Sequence, residues 1–587
     1  MGISAFQKND EETNPVSRLF AKASRVCLAV AAATSLSSVA APPVQSGASR
    51  PNILLVVVDD LGFNDLGVTG GEIATPNIDA LAQSSVLMTD FHAAPTCSVT
   101  RSMLMTGVDN HQAGLGTMAE RPKAPNQRDQ PGYRGRLDER LVTIAERLQD
   151  RGYATFMAGK WHLGTRPEDD PSRKGFEDTF TMVQGGASHF ADRLGITPGA
   201  PLSQWRDNGR ELTQLPENFF SSIAITDRAL AAIQRNRGDA RPFFGYVAYT
   251  APHWPLQVPD EWLDRYRGRY DAGYEALWRE RHDRMKRLGL IAADATLPQF
   301  PSYLRKWDEL TPEQRRVAAR SMELYAAMVE QMDQQIGRLF AGLKAAGKYD
   351  DTLIVFLSDN GADSENVRAI WARAGEDKAR EFEAKFDFSL ENMGRLGSFV
   401  SVADGWAPAR TLPGRLYKGM TTEGGVRVPT IIKYPGRDGL TGRAHAFASV
   451  LDLPPTFLEL AGEASREQPR PGRVVPEQLG RSMVGFLAKS TPRVHGDDYV
   501  MGWELWPNKA LRKGDWKLVR LGPPHKTADW QLFDLSKDPA EAKDLAVAES
   551  EKLREMISAY DQYAARVGVI EPEWETPPAP RAAGGAN

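Results

Sequence analysis

The chain of 587 residues is long enough to bury one large hydrophobic core and a smaller second one. Its 41% hydrophobic and 25% charged residues are ordinary values for a globular protein. A net charge of -4 and a pI near 6.2 give no reason to expect a nucleic acid or an anionic membrane as a partner.

The first 50 residues carry the pattern of an export signal. Basic residues at positions 18–25 precede an apolar, alanine-rich run at 26–33, and small residues follow up to Ala40. This order is typical of a signal peptide, and the apolar run is too short to span a bilayer. We predict a leader and linker over residues 1–50 and a periplasmic or secreted protein, or a cytoplasmic one if the leader is not processed. A disordered tail is the alternative.

The first structural element is an apolar run at 53–58 that ends in Asp59 and Asp60. Such an uninterrupted run predicts a strand buried on both faces of a parallel sheet. Ligands of open α/β sheets bind at the carboxyl ends of the strands, and calcium tolerates clustered carboxylates better than zinc does. A solvated turn is the common alternative for an isolated pair of aspartates.

The sequence predicts a helix that starts near Pro76 and a second one over 98–105. Positions 97 and 101 fall on one face of the second helix. A thiol at a helix N-terminus beside the guanidinium of Arg101 favours an anion and a nucleophile. Once the leader is removed, Cys97 is the single cysteine, which excludes an intrachain disulfide. A small buried hydrophobic residue is the more common role for a lone cysteine.

Two further strands end near titratable side chains. A helix at 142–150 and a short strand at 153–157 precede Lys160 and His162, which on an extended segment would point the same way and reach one anionic group. The apolar run at 242–249 ends near His253. A satisfied core histidine is the alternative for His253, and it loses weight because several strand ends repeat the pattern.

The stretch 256–345 is rich in charged residues with a helical period. Because acidic residues alternate with basic ones there, we interpret it as solvated helices that wrap the sheet or surround the site, and not as a nucleic-acid surface.

A second apolar run, at 352–358, ends in the metal-type ligands Asp359 and Asn360. With Asp59 and Asp60 these side chains carry a charge of -3, which one divalent cation and nearby lysines could neutralise. Residues 362–410 are expected to form a lid that faces the substrate, and Lys418 follows in a glycine-rich stretch.

From about residue 440 the pattern changes to a helix, a Pro/Gly/Arg-rich loop, short strands and a terminal helix at 547–566. We predict a catalytic domain over 51–440, a small C-terminal domain of antiparallel sheet and helix over 441–570, and a disordered tail over 571–587.

Several stretches stand out as motifs rather than as isolated residues. They are Thr75-Pro-Asn-Ile-Asp79, Cys97-Ser-Val-Thr-Arg101, Gly114-Leu-Gly-Thr-Met-Ala-Glu120, Gly159-Lys-Trp-His162, Ser358-Asp-Asn-Gly361 and the run from Lys418 to Pro429. Together, over residues 51 to about 570, they resemble the formylglycine-dependent type I sulfatase family, most closely its bacterial arylsulfatases. In the cysteine motif, Val99 stands where the family has a proline and Thr100 where it has a serine.

The resemblance implies an α/β fold of the alkaline-phosphatase-like type, an α/β/α sandwich with a large, mixed, mostly parallel sheet. It also implies hydrolysis of sulfate monoesters, in which an aryl sulfate yields a phenol and sulfate. The nucleophile would be the hydrate of formylglycine (3-oxoalanine), which a formylglycine-generating, sulfatase-maturating enzyme makes from Cys97.

Residue roles follow from the same resemblance. The ligands of Ca²⁺ would be Asp59, Asp60, Cys97 after its conversion, Asp359 and Asn360. Arg101 would position the hydrate and Asp359 would assist its deprotonation. Lys160 and Lys418 would bind sulfate, and His253 and Lys418 would protonate or stabilise the leaving alcohol. His162 would take the proton whose removal expels sulfate and restores the aldehyde.

Three alternatives remain. A phosphodiester or phosphonate monoester hydrolase of the same superfamily would use the same nucleophile and metal and differ mainly in the lid. A sulfate-ester-binding homologue with impaired catalysis would result if Val99 prevents maturation, since the maturating enzyme reads the proline. The other intact site residues argue against such decay. A two-zinc phosphatase is disfavoured, because the chain has only 9 histidines and the strand ends with carboxylates lack them.

Overall fold

A mixed sheet of ten strands forms the centre of the protein. The computed structural model describes residues 50–574 apart from 122, 197–201, 365–366, 368–370, 373–374, 437, 463–469, 524 and 528. The predicted leader therefore lies outside the described residues, except for Arg50, and so does the predicted tail beyond residue 574. Export of the protein stays a prediction.

The strands, in chain order, are β1 (Asn52–Val58), β2 (Val86–Met88), β3 (Phe91–His92), β4 (Ala154–Lys160), β5 (Asp178–Met182), β6 (Trp205–Asp207), β7 (Arg210–Leu212), β8 (Phe243–Ala248), β9 (Thr352–Ser358), β10 (Thr430–Lys433), β11 (Gly442–Ala444), β12 (Ala448–Ser449), β13 (Val500–Leu505), β14 (Asn508–Lys513), β15 (Trp516–Arg520) and β16 (Gln531–Asp534). The order in the central sheet is β11-β2-β10-β9-β1-β8-β4-β5-β6-β7. β1 pairs in parallel with β8 and β9, β4 with β8 and β5, and β11 with β2, whereas β10, β6 and β7 pair in antiparallel fashion.

β1 shows why the central strands have uninterrupted apolar sequences. All of its residues are buried, because a hydrophobic core covers each face of the sheet. Leu54, Val56 and Val58 join one hydrophobic core, and the alternating residues of β1 join the other. The predicted strands at 53–58, 242–249 and 352–358 are confirmed as β1, β8 and β9. Their parallel pairing brings the polar residues that follow them to one edge of the sheet.

Helices cover both faces of the sheet. Their bounds are α1 (Pro76–Gln83), α2 (Cys97–Thr106), α3 (Ile144–Asp150), α4 (Ser221–Arg235), α5 (Tyr274–Leu288), α6 (Pro312–Ala345), α7 (Glu376–Lys385), α8 (Ala407–Thr411), α9 (Glu423–Val426), α10 (Leu453–Ala461), α11 (Val484–Leu487) and α12 (Ser550–Val567). Residues of α4 and α6 pack in one core, and residues of α2, α3 and α10 pack in the other, so the fold is the predicted α/β/α sandwich. Within the described residues, no helix is both long and apolar enough to cross a membrane.

The helix α6 differs from its prediction as a solvated helix. Most of it lies in the core, where Met322, Leu324 and Met328 have no exposed surface. The interpretation from charge was wrong because charged residues of this region are themselves buried and paired. Arg320 donates to Glu323 across 2.9 Å, and on α5 the fully buried Arg281 contacts two carboxylates.

A four-stranded antiparallel sheet of β13–β16, packed against α12, confirms the predicted architecture near the C-terminus. The strands β11 and β12, which follow the predicted boundary at residue 440, pair with β2 and β3. The boundary itself stays a prediction.

A buried histidine joins the C-terminal sheet to the segment that follows α2. His111 Nδ1 lies 2.8 Å from Asp109 Oδ1, and its Nε2 lies 2.8 Å from Glu504 Oε2 in β13. Tyr563 of α12 donates its hydroxyl to Asp109 Oδ2 across 2.7 Å. Burial alone would lower the pKa of His111, but the two carboxylates outweigh it and raise the pKa to about 9.

This pKa predicts how the stability of the protein depends on pH. The protonated His111 makes its full contribution to the free energy of unfolding below its unfolded pKa of about 6.5. This contribution is lost as pH rises through the folded pKa of about 9. We expect the free energy of unfolding to fall over this interval by about 3 kcal/mol more in the unmodified protein than in His111→Gln. Thermal unfolding measured across the pH series tests this. His282→Gln is the control, because the pKa of His282 is lowered by burial. Equal pH slopes for the protein and His111→Gln would contradict the assignment.

Candidate functional site

The predicted site residues lie together at the carboxyl edge of the central strands, and all of them are buried. They are Asp59 and Asp60 after β1, Cys97 and Arg101 in α2, Lys160 at the end of β4, His162, His253 after β8, Asp359 and Asn360 after β9, and Lys418. Of these, His162, His253 and Lys418 keep the most exposure, 5%, 6% and 5%. These three side chains therefore mark the side of the site that is nearest to solvent.

The first turn of α2 carries Cys97, and the next turn carries Arg101, so the predicted shared face is confirmed. Arg101 donates from Nε and Nη2 to Asp359 Oδ2 across 3.0 and 2.6 Å, and from Nη1 to the Lys160 carbonyl across 3.0 Å. Its Nη2 also lies 3.7 Å from Asp59 Oδ1. With Cys97 unconverted, Arg101 therefore pairs with two carboxylates, those of Asp359 and Asp59. Its predicted contact with a hydrate at position 97 stays a prediction.

Asp60 has an unusual backbone that several contacts hold in place. Its φ is 70°, a left-handed conformation that costs a residue other than glycine about 1–3 kcal/mol. The side chain accepts hydrogen bonds from Asn360 Nδ2 and Lys418 Nζ, both across 2.7 Å, and the carbonyl accepts one from Arg410 across 3.1 Å. Burial would raise the pKa of Asp60, but Lys418 and the other nearby cations outweigh it and lower the pKa to about 2.

The same group of side chains fits a hard divalent cation. Ligand atoms of Asp59, Cys97 and Asp359 lie within 4.8 Å of one another. Asp59 Oδ1 and Asn360 Oδ1 are buried and have no hydrogen-bond partner among the described residues. Burial, together with the charge of Asp59, raises the pKa of Asp359 to about 6. A cation bound among these oxygens would supply the missing partner and relieve this repulsion.

Cys97 contacts a histidine and lies near the charges of two lysines, Lys160 and Lys418. Its Sγ is 3.3 Å from His162 Nδ1, and the other ring nitrogen of His162 lies 3.1 and 3.2 Å from the two carboxylate oxygens of Glu120. Burial would raise the pKa of the Cys97 thiol, but Lys160 and His162 lower it below its usual value. Burial would lower the pKa of His162, whereas Glu120 and Cys97 raise it to about 9.

Lys160 and His162 reach the site in different ways. Lys160 ends β4 and donates from Nζ to Asp59 Oδ2 across 2.6 Å. His162 has a φ of 58°, so the predicted extended segment is wrong at this residue and the chain turns there. The turn carries the imidazole to Cys97, whereas Lys160 reaches the carboxylate of Asp59.

His253 presents a single ring nitrogen to the site. Its Nδ1 lies 2.6 Å from the Trp254 carbonyl, which only accepts, so Nδ1 carries the hydrogen and Nε2 faces Asp60 Oδ2 at 3.6 Å. Burial lowers the pKa of His253 to about 3, against the opposing charge of Asp60. The side chain is therefore neutral at physiological pH, and its Nε2 accepts hydrogen bonds.

Two residues that contact predicted site residues were not themselves predicted to belong to the site: Glu120, which contacts His162, and Arg410, which contacts Asp60. Glu120 and Arg410 come from loops and from a short helix, and neither follows a strand. Glu120 belongs to one of the motifs, which was the available signal for it, whereas Arg410 lies in a stretch without a recognisable pattern.

A second group of possible metal ligands, Asp90, His92 and Glu423, lies at β3 and α9. Arg512 binds both oxygens of Asp90 at 2.7 and 2.8 Å, and Lys517 binds Glu423 at 2.6 Å. These cations from the C-terminal sheet already compensate the carboxylates, so the group is an ion network that joins that sheet to β3 and α9.

Two family models match the chain. The one described as Sulfatase matches residues 51–463, and the one described as N-sulphoglucosamine sulphohydrolase, C-terminal, matches residues 414–563. The chain belongs to the sulfatase family. Members of this family hydrolyse sulfuric esters, so the chain is an enzyme of that class.

The relatives include proteins of similar length. The chain is 40% identical over 541 residues to an uncharacterised sulfatase of Schizosaccharomyces pombe, a match that covers 90% of this chain and 95% of the relative. It is 39% identical over 417 residues to an arylsulfatase of Klebsiella aerogenes, covering 70% of this chain and 87% of the relative.

Solved structures share the fold. Ps i-CgsB, crystallised in complex with k-i-k-neocarrahexaose, has a TM-score of 0.62 at 24% identity, and the match covers 90% of this chain and 95% of that one. A protein crystallised with its substrate, D-glucosamine-2-N,6-O-disulfate, has a TM-score of 0.57 at 19% identity, covering 90% of this chain and 100% of that one. At these identities the likeness concerns the fold, and the predicted alkaline-phosphatase-like sandwich is confirmed.

Proposed function

We propose that the protein hydrolyses aryl sulfate monoesters, with a formylglycine made from Cys97 and a bound Ca²⁺. The observation that carries the proposal is the arrangement around Cys97, where three carboxylates and the Asn360 amide face two buried lysines and two histidines. Similarity to an arylsulfatase at 39% identity supports the aryl leaving group.

The residues that would hold Ca²⁺ are Asp59, Asp60, Asp359 and Asn360, with the group at position 97. When bound, the ion would stabilise negative charge on the sulfate oxygens and on the nucleophile. The hydrate of formylglycine would supply one hydroxyl for attack on sulfur and a second whose deprotonation releases the product. Arg101 pairs with Asp359 and Asp59 and so holds these two Ca²⁺ ligands in position.

Lys160 and Lys418 would bind the sulfate group. Each now pairs with a carboxylate, Lys160 with Asp59 and Lys418 with Asp60. A cation held by those carboxylates would compete with the ammonium groups for the same oxygens, and both lysines would then be able to turn toward the anionic substrate.

The leaving phenoxide needs a proton, and the geometry favours Lys418 as its donor. Lys418 carries donors at the more exposed side of the site. His253 donates its one ring hydrogen to the Trp254 carbonyl, so its Nε2 has no proton to give while the ring is neutral. We propose that His253 orients Lys418 or the substrate and that Lys418 protonates the leaving group. Conversion of Cys97 would remove the negative charge at position 97 that helps to raise the pKa of His162, and His162 would then take the second proton at Nδ1, which faces that position.

The competing functions use the same centre. A phosphodiester or phosphonate monoester hydrolase would need the same nucleophile and cation. We expect the rate with an aryl sulfate to exceed the rates with the matching aryl phosphodiester and phosphonate monoester, measured as initial rates of phenol release by one preparation. We also expect chelation of the metal to abolish all three activities and added Ca²⁺ to restore them. A faster reaction with a phosphorus ester would overturn the assignment to sulfate esters.

Val99 allows a test of the third possibility, a homologue whose maturation is impaired. Val99 is the third residue of α2, where a proline ring removes no helical hydrogen bond, so Val99→Pro should fold normally. We expect this variant to contain a larger fraction of formylglycine at position 97 than the unmodified protein. Mass spectrometry of the tryptic peptide measures the fraction, with Val99→Ala as the control. Equal fractions in all three proteins would show that the proline is not required.

Export belongs to the same proposal. Removal of the leader predicted over residues 1–50 would deliver the enzyme to the periplasm or the medium after the maturating enzyme has acted on the unfolded chain. N-terminal sequencing of protein recovered outside the cytoplasm should give a start beyond residue 33, and a start at Met1 or Gly2 would contradict export.

A further inference from the structure

A carboxylate at the entrance of the site forms a chain with His162 and position 97. Glu120 Oε1 and Oε2 lie 3.1 and 3.2 Å from His162 Nε2, and Nδ1 of the same ring lies 3.3 Å from Cys97 Sγ. The His162 side chain is 5% exposed and the Glu120 side chain is 25% exposed. The imidazole therefore bridges a partly solvated carboxylate and the buried group that reacts.

The acceptor character of Glu120 decides how this ring is oriented. An ionised carboxylate has no hydrogen to donate, so the hydrogen between it and His162 belongs to Nε2. This holds whether the ring is neutral or protonated. Rotation of the ring by half a turn would exchange the ring edges, which would place a carbon where the Nε2–H···O contact now lies. Glu120 therefore favours the orientation in which Nδ1 faces position 97.

The backbone restricts the ring from another side. A side chain added to Gly185 would approach His162 Cε1 to 2.6 Å, which means that the ring packs directly on this glycine. The positive φ of His162 fixes the direction from which its side chain enters the site. These contacts limit where the imidazole can lie, but they do not distinguish its two nitrogens. Only a polar partner such as Glu120 makes that distinction.

Glu120 itself is held in place by contacts of the residues on both sides of it. The Thr96 hydroxyl donates to Met118 Sδ across 3.2 Å, and Trp506 Nε1 donates to Thr117 Oγ1 across 3.3 Å. The guanidinium of Arg121 lies over the ring of Trp506 at 5.1 Å. The segment is thus fixed between the N-terminus of α2 and the turn that joins β13 to β14. Contacts on both sides of Glu120 distinguish it from a mobile surface carboxylate.

We propose that Glu120 is a positioning residue, which accepts the Nε2 hydrogen of His162 and so keeps Nδ1 directed at the group on residue 97. The consequence for turnover rests on the proposed function. When a hydroxyl on residue 97 gives its proton to Nδ1, the ring becomes a cation with a hydrogen on each nitrogen. The Glu120 carboxylate then faces that cation and stabilises it, as in carboxylate–histidine pairs of other hydrolases.

The test begins with a measurement that needs no catalysis. In protein with an unconverted Cys97 and ¹⁵N-labelled histidine, we expect a downfield, slowly exchanging N–H proton on Nε2 of His162. The His162→Gln variant assigns the signal by its loss. The signal should disappear in Glu120→Ala and weaken in Glu120→Gln, whose amide oxygen can still accept. Glu177→Ala is the matched control, because Glu177 is an exposed glutamate that pairs with Arg241 at 3.0 Å.

Kinetics of the converted enzyme give the second readout. We expect Glu120→Ala to lower kcat by roughly 10–100-fold with little change in KM, and Glu120→Gln to recover part of the loss. Glu177→Ala should match the unmodified enzyme. An unchanged His162 signal in Glu120→Ala would overturn the proposal, and so would a changed signal with unchanged kcat. If the signal disappears as expected but the converted enzyme does not act on sulfate esters at all, the proposed function fails while the orientation of His162 by Glu120 stands.

Discussion

Replacing Cys97 with serine should abolish multiple turnover while leaving the protein folded and able to bind metal. Serine presents one hydroxyl, so it can attack the sulfate group once, but it offers no second hydroxyl whose deprotonation would expel the product. We expect the steady-state rate to fall by roughly 10⁴-fold or more, a loss typical of removing one member of a catalytic unit. The variant should accumulate a sulfate ester on the introduced serine.

Mass spectrometry of Cys97→Ser after incubation with an aryl sulfate tests this directly, since the bound group adds the mass of one SO₃ to the peptide that carries position 97. Ser98→Ala is the control, because it removes the neighbouring hydroxyl and leaves the thiol that is converted. Full multiple turnover in Cys97→Ser would refute the role of two hydroxyls on one carbon.

Replacing Asp359 with asparagine should have the second large effect, because this carboxylate serves two partners. It accepts both hydrogen bonds from the fully buried Arg101 and lies beside the other predicted ligands. Loss of one partner of a buried ion pair costs about 3–5 kcal/mol, since the remaining charge is left uncompensated. We also expect the affinity for Ca²⁺ to fall by more than the roughly 10–100-fold that removal of an outer partner costs.

Calorimetric titration of Ca²⁺ and thermal unfolding measure the two effects on one preparation. Asp333→Asn is the matched control, because Asp333 is buried, accepts from the backbone of α1 across 2.8 Å, and lies outside the site. It should lower the melting temperature without changing the affinity for Ca²⁺. Equal Ca²⁺ affinities for Asp359→Asn and the unmodified protein would remove Asp359 from the ligand set.

The elements that carry the site were predictable because each is a local pattern. An apolar run followed by polar residues, as at Val58 to Asp60 and at Ser358 to Asn360, specifies a buried parallel strand whose end lies at the ligand edge. Parallel pairing of β1 with β8 and β9 then brings those ends together without further information from the loops.

The remaining features depend on contacts between distant residues. Arg101 was recognised as a site residue. Its partner Asp359 lies 258 positions away in the sequence, and no local pattern predicts that pairing. Glu120 reaches His162 across 42 positions through an irregular segment. The burial of α6 was missed because its charges, such as Arg320, have partners inside the protein, which removes the usual link between charge and solvent.

Peptide mass spectrometry across position 97, on protein isolated from its native host, is the most direct test of the formylglycine mechanism. We expect residue 97 to have lost one sulfur and two hydrogens and gained one oxygen, the change from a thiol to an aldehyde, and aryl sulfatase activity to follow the converted fraction. An unmodified thiol in folded, metal-bound protein that turns over aryl sulfates would contradict the formylglycine mechanism.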